Sequence, residues 1–320
     1  MNAPNGVDLV EVVRSGEVES VHRGSLVVLD ADGGVLIRLG APEQPCFPRS
    51  SNKPLQAVGM LRCGLDLDGA DLALAAASHS GEPVHVNRVR GLLSSRGLPE
   101  SALGCPPDYP LSEEARTTLI AHGGGRGRIF MNCSGKHTAM LLTCQAAGWP
   151  TAGYLEPQHP LQRALREATS ELAAEPAAAV GVDGCGAPLF GHSLTAMARA
   201  YARLVRAEPG TPERRVADAM RAHPELVAGT GRDDTVAMRA VPGLLLKGGA
   251  EGVHVGALAD GSAFAMKIDD GAERARPPVI AAVLQRLGVD AAALADLAEP
   301  PVNGGGRRVG AIRMRPGLLA

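Results

Sequence analysis

The sequence reads Gly24-Ser-Leu-Val-Val-Leu-Asp30, then Ala31-Asp32-Gly33, then Gly34-Val-Leu-Ile-Arg-Leu39. The two outer segments are rich in branched apolar residues, which favour β-strands. The central segment carries Asp and Gly, the residue types that suit a tight turn between two strands. This stretch therefore predicts a β-hairpin over residues 24–39.

A second hairpin and a final strand are predicted near the other end of the chain. Strand patterns cover 252–258 and 262–269 around Asp260-Gly261, and another covers 308–314. Between the two ends, apolar residues recur with the spacing of amphipathic helices. The predicted helices are 52–63, 69–77, 84–96, 136–147, 160–174, 192–207, 211–222 and 276–287.

This order of elements predicts an α+β fold, an antiparallel sheet covered by helices, and not alternating βαβ units. A chain of 320 residues is long enough for one large domain or two closely packed ones. We predict a single unit over 1–320. Its sheet would come from both termini, about 20–45 and 240–320, and its middle, about 46–235, would be mainly helical.

The composition excludes several classes of protein. Apolar residues make up 45% of the chain, the net charge is -2, and aromatic residues are 2%. We therefore expect no nucleic-acid or membrane partner, because a basic surface and stacking side chains are both missing. The first residues lack the pattern of an export signal, so we expect a cytoplasmic protein. Its six cysteines should then be free thiols or metal ligands.

Lysine is unusually scarce. Lys and Arg total 32, but the only lysines are Lys53, Lys136, Lys247 and Lys267, which leaves 28 arginines. Arginine cannot lose its proton near neutral pH, so it cannot serve as a base or as a neutral amine ligand. The remaining lysines should be enriched at sites where arginine would fail.

The first candidate site is the S-x-x-K motif formed by Ser50 and Lys53. On a helix this spacing puts both side chains on one face, and a lysine without its proton could activate the weakly nucleophilic hydroxyl. One match to so short a motif is weak evidence, and the same residues would also fit a helix-capping serine beside an exposed lysine. The motif alone favours the capping interpretation.

Two further elements follow in order. Ser78 and His79 come after an apolar helical segment, and Lys247 ends an apolar strand before Gly248 and Gly249. S-x-x-K, a serine element and a late Lys-x-Gly is the chain order of serine β-lactamases and penicillin-binding proteins, although Gly248 stands where Thr is usual. Lys267 alternates outward beside a turn, so we expect it to be structural.

Two short glycine-containing segments could meet in space. One is Asn132-Cys133-Ser134-Gly135-Lys136-His137 and the other is Val182-Asp183-Gly184-Cys185-Gly186. Thiolates and imidazoles suit zinc, whereas buried free cysteines are the commoner alternative in a reducing compartment. Spacing alone leaves both interpretations open.

At these residues the chain resembles the class 3, Rhizobium-type thermolabile L-asparaginases of the asparaginase II family. The resemblance runs in order along nearly the whole chain. Its motifs are Arg49-Ser50-x-x-Lys53-Pro54, Ala77-Ser78-His79, residues 132–137, Asp183-Gly184-Cys185, residues 223–229, Lys247 and Lys267-Ile268-x-Asp270-Gly271.

The resemblance implies hydrolysis of L-asparagine to L-aspartate and ammonia by a homodimer. It implies a serine β-lactamase-like and glutaminase-like catalytic fold. It further implies two Ser-Lys pairs, here Ser50, Lys53, Ser78 and Lys247, and a zinc ion held by Cys133, Lys136 and Cys185.

Substrate contacts are hypotheses on the same resemblance. Arg49 is expected to pair with the α-carboxylate of the substrate, because its guanidinium can bind a carboxylate through two hydrogen bonds. Asp183 is expected to hold the α-ammonium group or a metal-bound water. His137, placed with the substrate-binding residues, is expected to orient a neighbouring ligand.

Alternatives stay open. One is a zinc-hydroxide amidase acting on a related small amide such as L-glutamine, in which the serines only bind substrate. A penicillin-binding role is another. A non-catalytic amino-acid-binding protein on the same scaffold is a different class of function, and the presence of both serines and both lysines argues against it.

Overall fold

The computed structural model describes residues 5–319. Within them the chain forms two compact units, and each unit is built from separate stretches of sequence. The first unit comprises the described residues through Ser51, His192–Arg206 and the chain from Val236 onward; the second comprises Asn52–Gly191 and Ala207–Thr235.

Strands concentrate at the two ends of the chain. Their bounds are β1 Val7–Arg14, β2 Glu17–Leu29, β3 Val35–Leu39, β4 Val180–Val182, β5 Pro188–Phe190, β6 Leu245–Gly248, β7 Val253–Ala257, β8 Ala263–Ile268, β9 Pro301–Gly304 and β10 Arg307–Met314.

Helices fill the middle of the chain and recur near its end. Their bounds are α1 Lys53–Arg62, α2 Gly69–Ala75, α3 Pro83–Ser95, α4 Glu113–Ala121, α5 Ser134–Ala146, α6 Pro160–Ala173, α7 Leu194–Arg206, α8 Pro212–Ala222, α9 Pro224–Val227, α10 Asp233–Ala240, α11 Arg276–Arg286 and α12 Ala295–Ala298. Short 3-10 helices lie at Arg49–Asn52, Glu100–Ala102, Arg128–Phe130, Glu273–Ala275 and Ala291–Leu294.

The first unit is an antiparallel sheet with the strand order β6-β7-β8-β2-β1-β10-β9, and β3 also pairs with β2. The hairpin predicted over 24–39 is confirmed, since Leu26 lies opposite Leu39. On its other side, the same segment of β2 pairs with β8, where Gly24 lies opposite Ile268. Strands from both ends of the chain therefore share one sheet.

Helix α7 covers part of this sheet. Its Met197, Tyr201, Leu204 and Val205 recur with helical spacing and are all buried, and the helix packs on β2, β7 and β8. Removing one such large apolar side chain from water contributes about 1.5–3 kcal/mol. The predicted α+β fold, an antiparallel sheet covered by helices, is thus confirmed.

The second unit is mainly helical and is organised around α1. Residues Lys53 to Leu61 are all buried, and α1 packs against α5, α6 and α8. Gly59 permits the close approach to α6, because a Cβ there would lie 2.9 Å from a methyl group of Leu165. A lysine at the start of so buried a helix has little contact with solvent.

The eight helices predicted from periodicity are confirmed, with boundaries shifted by at most two residues. The sequence reading missed the strands β1, β4, β5 and β9 and the helices α4, α9, α10 and α12. Helix α4 has no buried residue, so it carries no apolar stripe to reveal it, and β1 contains bulges in its pairing with β2 that interrupt the simple alternation. The prediction of a single unit over 1–320 stays a prediction.

Among residues 5–319, no helix combines the length and apolar character that a bilayer crossing requires.

Candidate active site

The side-chain amine of Lys53 makes several contacts at the centre of the candidate site in the second unit. Its side chain is buried, and Nζ donates a hydrogen bond to Ser78 Oγ at 3.0 Å and another to the carbonyl oxygen of Ala77. Nζ also lies 3.1 Å from the sulfur of Cys133. Pro54 is accommodated because the first-turn N–H groups of a helix have no intrahelical partner. One amine therefore contacts both the serine element and the cysteine element.

Ser78 is fixed by its backbone. It follows α2, and its N–H donates to the carbonyl of Val227 at 2.9 Å, while the next N–H, of His79, donates to Asn132 at 3.1 Å. The Ser78 side chain is buried like that of Lys53. Ser78 and Lys53 are therefore joined by a direct hydrogen bond between a buried hydroxyl and a buried amine.

Cys133, Lys136 and Cys185 form a buried cluster of two sulfurs and an amine, in which Lys136 Nζ lies 3.2 Å from Cys185 Sγ. A hydrogen bond from the Cys133 thiol lowers the pKa of Cys185 well below the ordinary value of a thiol, and the positive charge of Lys136 lowers it further. The same hydrogen bond, together with burial, raises the pKa of Cys133. Of the two sulfurs, Cys185 is thus the one that loses its proton more readily.

The two sulfurs act on the pKa of Lys136. Burial alone would lower the pKa of Lys136, but the Cys185 and Cys133 sulfurs overcome that effect, and its pKa is raised above the ordinary value. Burial lowers the pKa of His137, although the nearby Cys185 opposes the shift. His137 is fully buried, and its Nδ1 lies 2.7 Å from the hydroxyl of Tyr154.

Asp183 lies in the turn between β4 and β5, next to Cys185. Its Oδ1 accepts a hydrogen bond from Gly184 N–H at 2.9 Å, and its Oδ2 lies 3.7 Å from Cys185 Sγ. The side chain is half-buried. Its position leaves a carboxylate beside the sulfur cluster and within reach of solvent.

The donor chemistry of the cluster fits a metal. Across the described part of the chain, no group of three or more His, Cys, Asp or Glu side chains is arranged to hold a metal ion. The cluster instead combines two sulfurs with an amine, packed together and buried. Sulfur and nitrogen donors in a closed site suit zinc. These residues are therefore candidate ligands for the zinc ion that the resemblance to L-asparaginases implied.

The first unit contains Ser50 and Lys247. Arg49–Asn52 form a 3-10 helix, in which Ser50 is half-buried and Ser51 is buried. The Ser51 hydroxyl donates to the backbone carbonyl of Lys247 at 2.8 Å, and Tyr201 donates to the carbonyl of Ser51 at 2.7 Å. The hydroxyl of Ser51 is thus used in a hydrogen bond to the strand that carries Lys247. Of the two serines, Ser50 has the more accessible hydroxyl.

Lys247 is buried in β6, and its Nζ donates to the carbonyl of Gly248 at 2.6 Å. Gly249, the second residue after Lys247, has a clear structural reason, since a Cβ there would lie 2.6 Å from the carbonyl oxygen of Pro48. Gly249 therefore lets the backbone before Ser50 pass close to the end of β6.

Arg49 lines a cavity of about 290 Å³ in the first unit. Its backbone has a φ of 51°, a left-handed conformation that is uncommon for a residue with a side chain. Its guanidinium lies 3.9 Å from the carboxylate of Glu251. Lys267 lines the same cavity and donates to the carbonyls of Glu251 and Ile268 at 2.6 and 2.7 Å, in line with the structural role predicted for it.

Sequence reasoning missed three residues. Tyr154 holds His137 and also accepts the N–H of Gly104 at 2.7 Å. Asn52 has a buried side-chain amide whose two polar atoms have no hydrogen-bond partner among the described residues, and its place inside the S-x-x-K motif was a signal. Nothing in the sequence singled out Glu251, because an acidic residue in a turn is usually exposed to solvent.

Comparison with known proteins gives two similarities. The sequence pattern of the family described as L-asparaginase II matches residues 10–314. Among solved structures, the chain is similar to a candidate beta-lactamase from Bacteroides dorei DSM 17855, with 14% identity and a TM-score of 0.45, over 82% of this chain and 92% of that chain. No curated protein sequence matches it. Because the pattern spans residues 10–314, the chain belongs to the L-asparaginase II family.

Proposed function

We propose that this protein hydrolyses the side-chain amide of L-asparagine to L-aspartate and ammonia through a serine acyl-enzyme. Membership of the L-asparaginase II family implies an amidohydrolase. The observation that carries the proposal further is the buried hydrogen bond of 3.0 Å between Lys53 Nζ and Ser78 Oγ. An amine and a hydroxyl paired away from water are suited to moving a proton.

In this proposal Ser50 is the nucleophile. Its Oγ attacks the side-chain amide carbon, and Lys53 takes the hydroxyl proton and passes it to the leaving nitrogen. Ammonia leaves, and a water molecule then hydrolyses the β-aspartyl ester to release L-aspartate and the free serine. Ser78 and Lys247 complete the path for protons. Two observations support Ser50 as the nucleophile. Ser50 and Lys53 are three residues apart, and the Ser51 hydroxyl is already used in a hydrogen bond to the Lys247 carbonyl.

The substrate would be held by its α-amino and α-carboxyl groups. Arg49 is proposed to bind the α-carboxylate, and the half-buried Asp183 is proposed to bind the α-ammonium group. His137 is buried behind Cys185, so its proposed contribution is to hold the sulfur cluster that faces Asp183.

Zinc is proposed as the metal of the cluster formed by Cys133, Lys136 and Cys185. When bound there, the ion would supply a fixed positive charge in a buried site. Binding requires each donor to be without its proton, and arginine could not meet that requirement at position 136. This accounts for one of the four lysines in a chain that otherwise uses arginine.

Replacing Cys133 by Ser should remove the zinc, because it deletes one of the two sulfur donors. We expect the purified Cys133→Ser protein to contain less than about a tenth of the wild-type zinc by elemental analysis, given that outer-shell changes alone cost 10–100-fold in affinity. Cys144→Ser is the matched control. Cys144 is also buried in α5, but it lies outside the cluster, and its variant should keep its zinc. Equal zinc in both variants would contradict the proposed site.

The substrate is tested by measuring ammonia release from a panel of amides. We expect L-asparagine to be hydrolysed faster than L-glutamine and β-aspartyl dipeptides. The reason is that the carbon of the side-chain amide must reach Ser50 while the α-ammonium and α-carboxylate groups are both held. Faster release from glutamine would assign a related amide. Tight asparagine binding without ammonia release would indicate the amino-acid-binding protein.

The finer assignments rest on sequence resemblance. The motifs around Ser50, Cys133 and Lys247 support class 3, the Rhizobium-type thermolabile enzymes, within the family. The same resemblance supports a homodimer working in the cytoplasm.

A further inference from the structure

His79 is held in one tautomer by its neighbours. Gly81 N–H donates to Nδ1 at 3.1 Å, and because a backbone amide is always a donor, Nδ1 must be the acceptor. The ring proton is then on Nε2, which lies 2.9 Å from Ser134 Oγ. The Ser134 hydroxyl in turn donates to the carbonyl of Ile129 at 2.9 Å. The chain of donors and acceptors is complete.

Burial keeps His79 in this arrangement. The side chain is fully buried, and its ring stacks on His85 with centroids 5.1 Å apart. Burial lowers the pKa of His79 well below its ordinary value, and the charge of Lys53 lowers it further. The imidazole therefore stays neutral, and a neutral ring with both nitrogens engaged has one orientation only.

His79 connects two parts of the candidate site within the second unit. It follows Ser78 directly, and its own N–H is bonded to Asn132, the residue before Cys133. Its ring reaches Ser134, the first residue of α5 after Cys133. Cys133 is thus bracketed by the two hydrogen bonds of His79, and Lys136 lies in the same helical turn.

We propose that His79 is a positioning residue that locks Ser78 and the first turn of α5 into one rigid frame, so that Lys53 contacts Ser78 and Cys133 together. The inference rests on the proposed function and deepens it. A hydrogen bond of 3.0 Å to Ser78 and a contact of 3.1 Å to Cys133 must both hold at one amine. Rotation of either element would break one of them.

Paired variants separate the two hydrogen bonds of the ring. His79→Asn keeps an acceptor near the Nδ1 position but cannot reach Ser134, whereas His79→Gln places an amide N–H near the Nε2 position. We expect His79→Asn to lower kcat by about 10–100-fold with KM changed by less than about threefold, as for other outer-shell partners. His79→Gln should recover most of that loss.

Ser134 provides the test from the other side. Ser134→Ala should lower kcat by a similar factor. The double variant that combines it with His79→Asn should have a kcat no lower than that of the less active single variant, because both substitutions remove the same contact. His85→Leu is the control. It loses the stacking partner and the hydrogen bond to the Glu225 carbonyl, so it should lose stability while it keeps kcat.

A second measurement does not depend on turnover. In metal-free protein, alkylation of Cys133 and Cys185, followed by peptide mass spectrometry, should be faster in His79→Asn than in wild type and unchanged in His85→Leu. If wild-type protein releases no ammonia from any amide, the proposed function fails and alkylation alone decides the role of His79. Unchanged alkylation, or additive losses in the double variant, would overturn the inference.

Discussion

Replacing Ser50 by Ala should abolish amide hydrolysis. We expect kcat for L-asparagine to fall by at least about 10⁴-fold, because loss of a serine nucleophile leaves only the contributions of binding and electrostatics. KM should change little, since the hydroxyl contributes to bond formation and not to recognition of the charged ends. Ammonia release by coupled assay, with asparagine binding by calorimetry, separates the two effects.

Ser51 is the matched control for this variant. It is the neighbouring serine, but its hydroxyl is used to hold the carbonyl of Lys247. Ser51→Ala should cost about 1 kcal/mol of folding stability for one buried hydrogen bond, with kcat within about tenfold of wild type. If Ser50→Ala stays active while Ser78→Ala is inactive, Ser78 is the nucleophile. Activity in both variants, with loss on zinc removal, would favour a metal-dependent reaction.

The parts of the fold that sequence could predict are those with strong local signals. The hairpin at 24–39 has branched apolar residues on both sides of a turn, and α7 has apolar residues at every helical repeat. Helix α4 has neither signal, because no residue on it is buried. Its existence depends on capping by Ser112, whose hydroxyl accepts the N–H of Ala115, and that is a weaker pattern than a buried stripe.

The contacts within the candidate site could not be predicted either, because they join residues that are far apart in the sequence. Residue types and motif order indicated the chemistry, since serine and lysine at 50, 53, 78 and 247 were visible in the sequence. The contacts were not. Lys53 meets Ser78 and Cys133 across 25 and 80 residues of chain, and no local pattern encodes such a meeting. The same holds for Ser51, whose partner is 196 residues away.

Burial also distinguishes two neighbouring serines that spacing alone could not tell apart. Ser50 and Ser51 are neighbours, and only the S-x-x-K spacing favoured Ser50. The structure gives Ser51 a buried role on the carbonyl of Lys247 and leaves Ser50 half-exposed. That physical distinction, and not the motif, is why Ser51 can serve as a control.

Lys53→Arg should be nearly as damaging as loss of the serine. The substitution keeps the positive charge, but arginine does not release its proton near neutral pH and so cannot act as a base. We expect kcat to fall by about 10²–10⁴-fold, the usual contribution of a general base. Lys267→Arg is the control, because Lys267 only donates to two carbonyls and arginine can donate as well.

A guanidinium is larger than an ammonium group, so the buried site around Lys53 could be distorted in Lys53→Arg. Lys53→Ala avoids this by leaving space, and small primary amines added to the assay should then restore part of kcat, while guanidine should not. Amine rescue that increases with pH would show that the neutral amine is the active form, as a base requires. A different outcome is that Lys53→Arg keeps more than about a tenth of wild-type kcat, which corresponds to a loss below about 1.4 kcal/mol. Lys53 would then act through its positive charge. Its contacts with Ser78 and Cys133 would serve electrostatic stabilisation and not proton transfer.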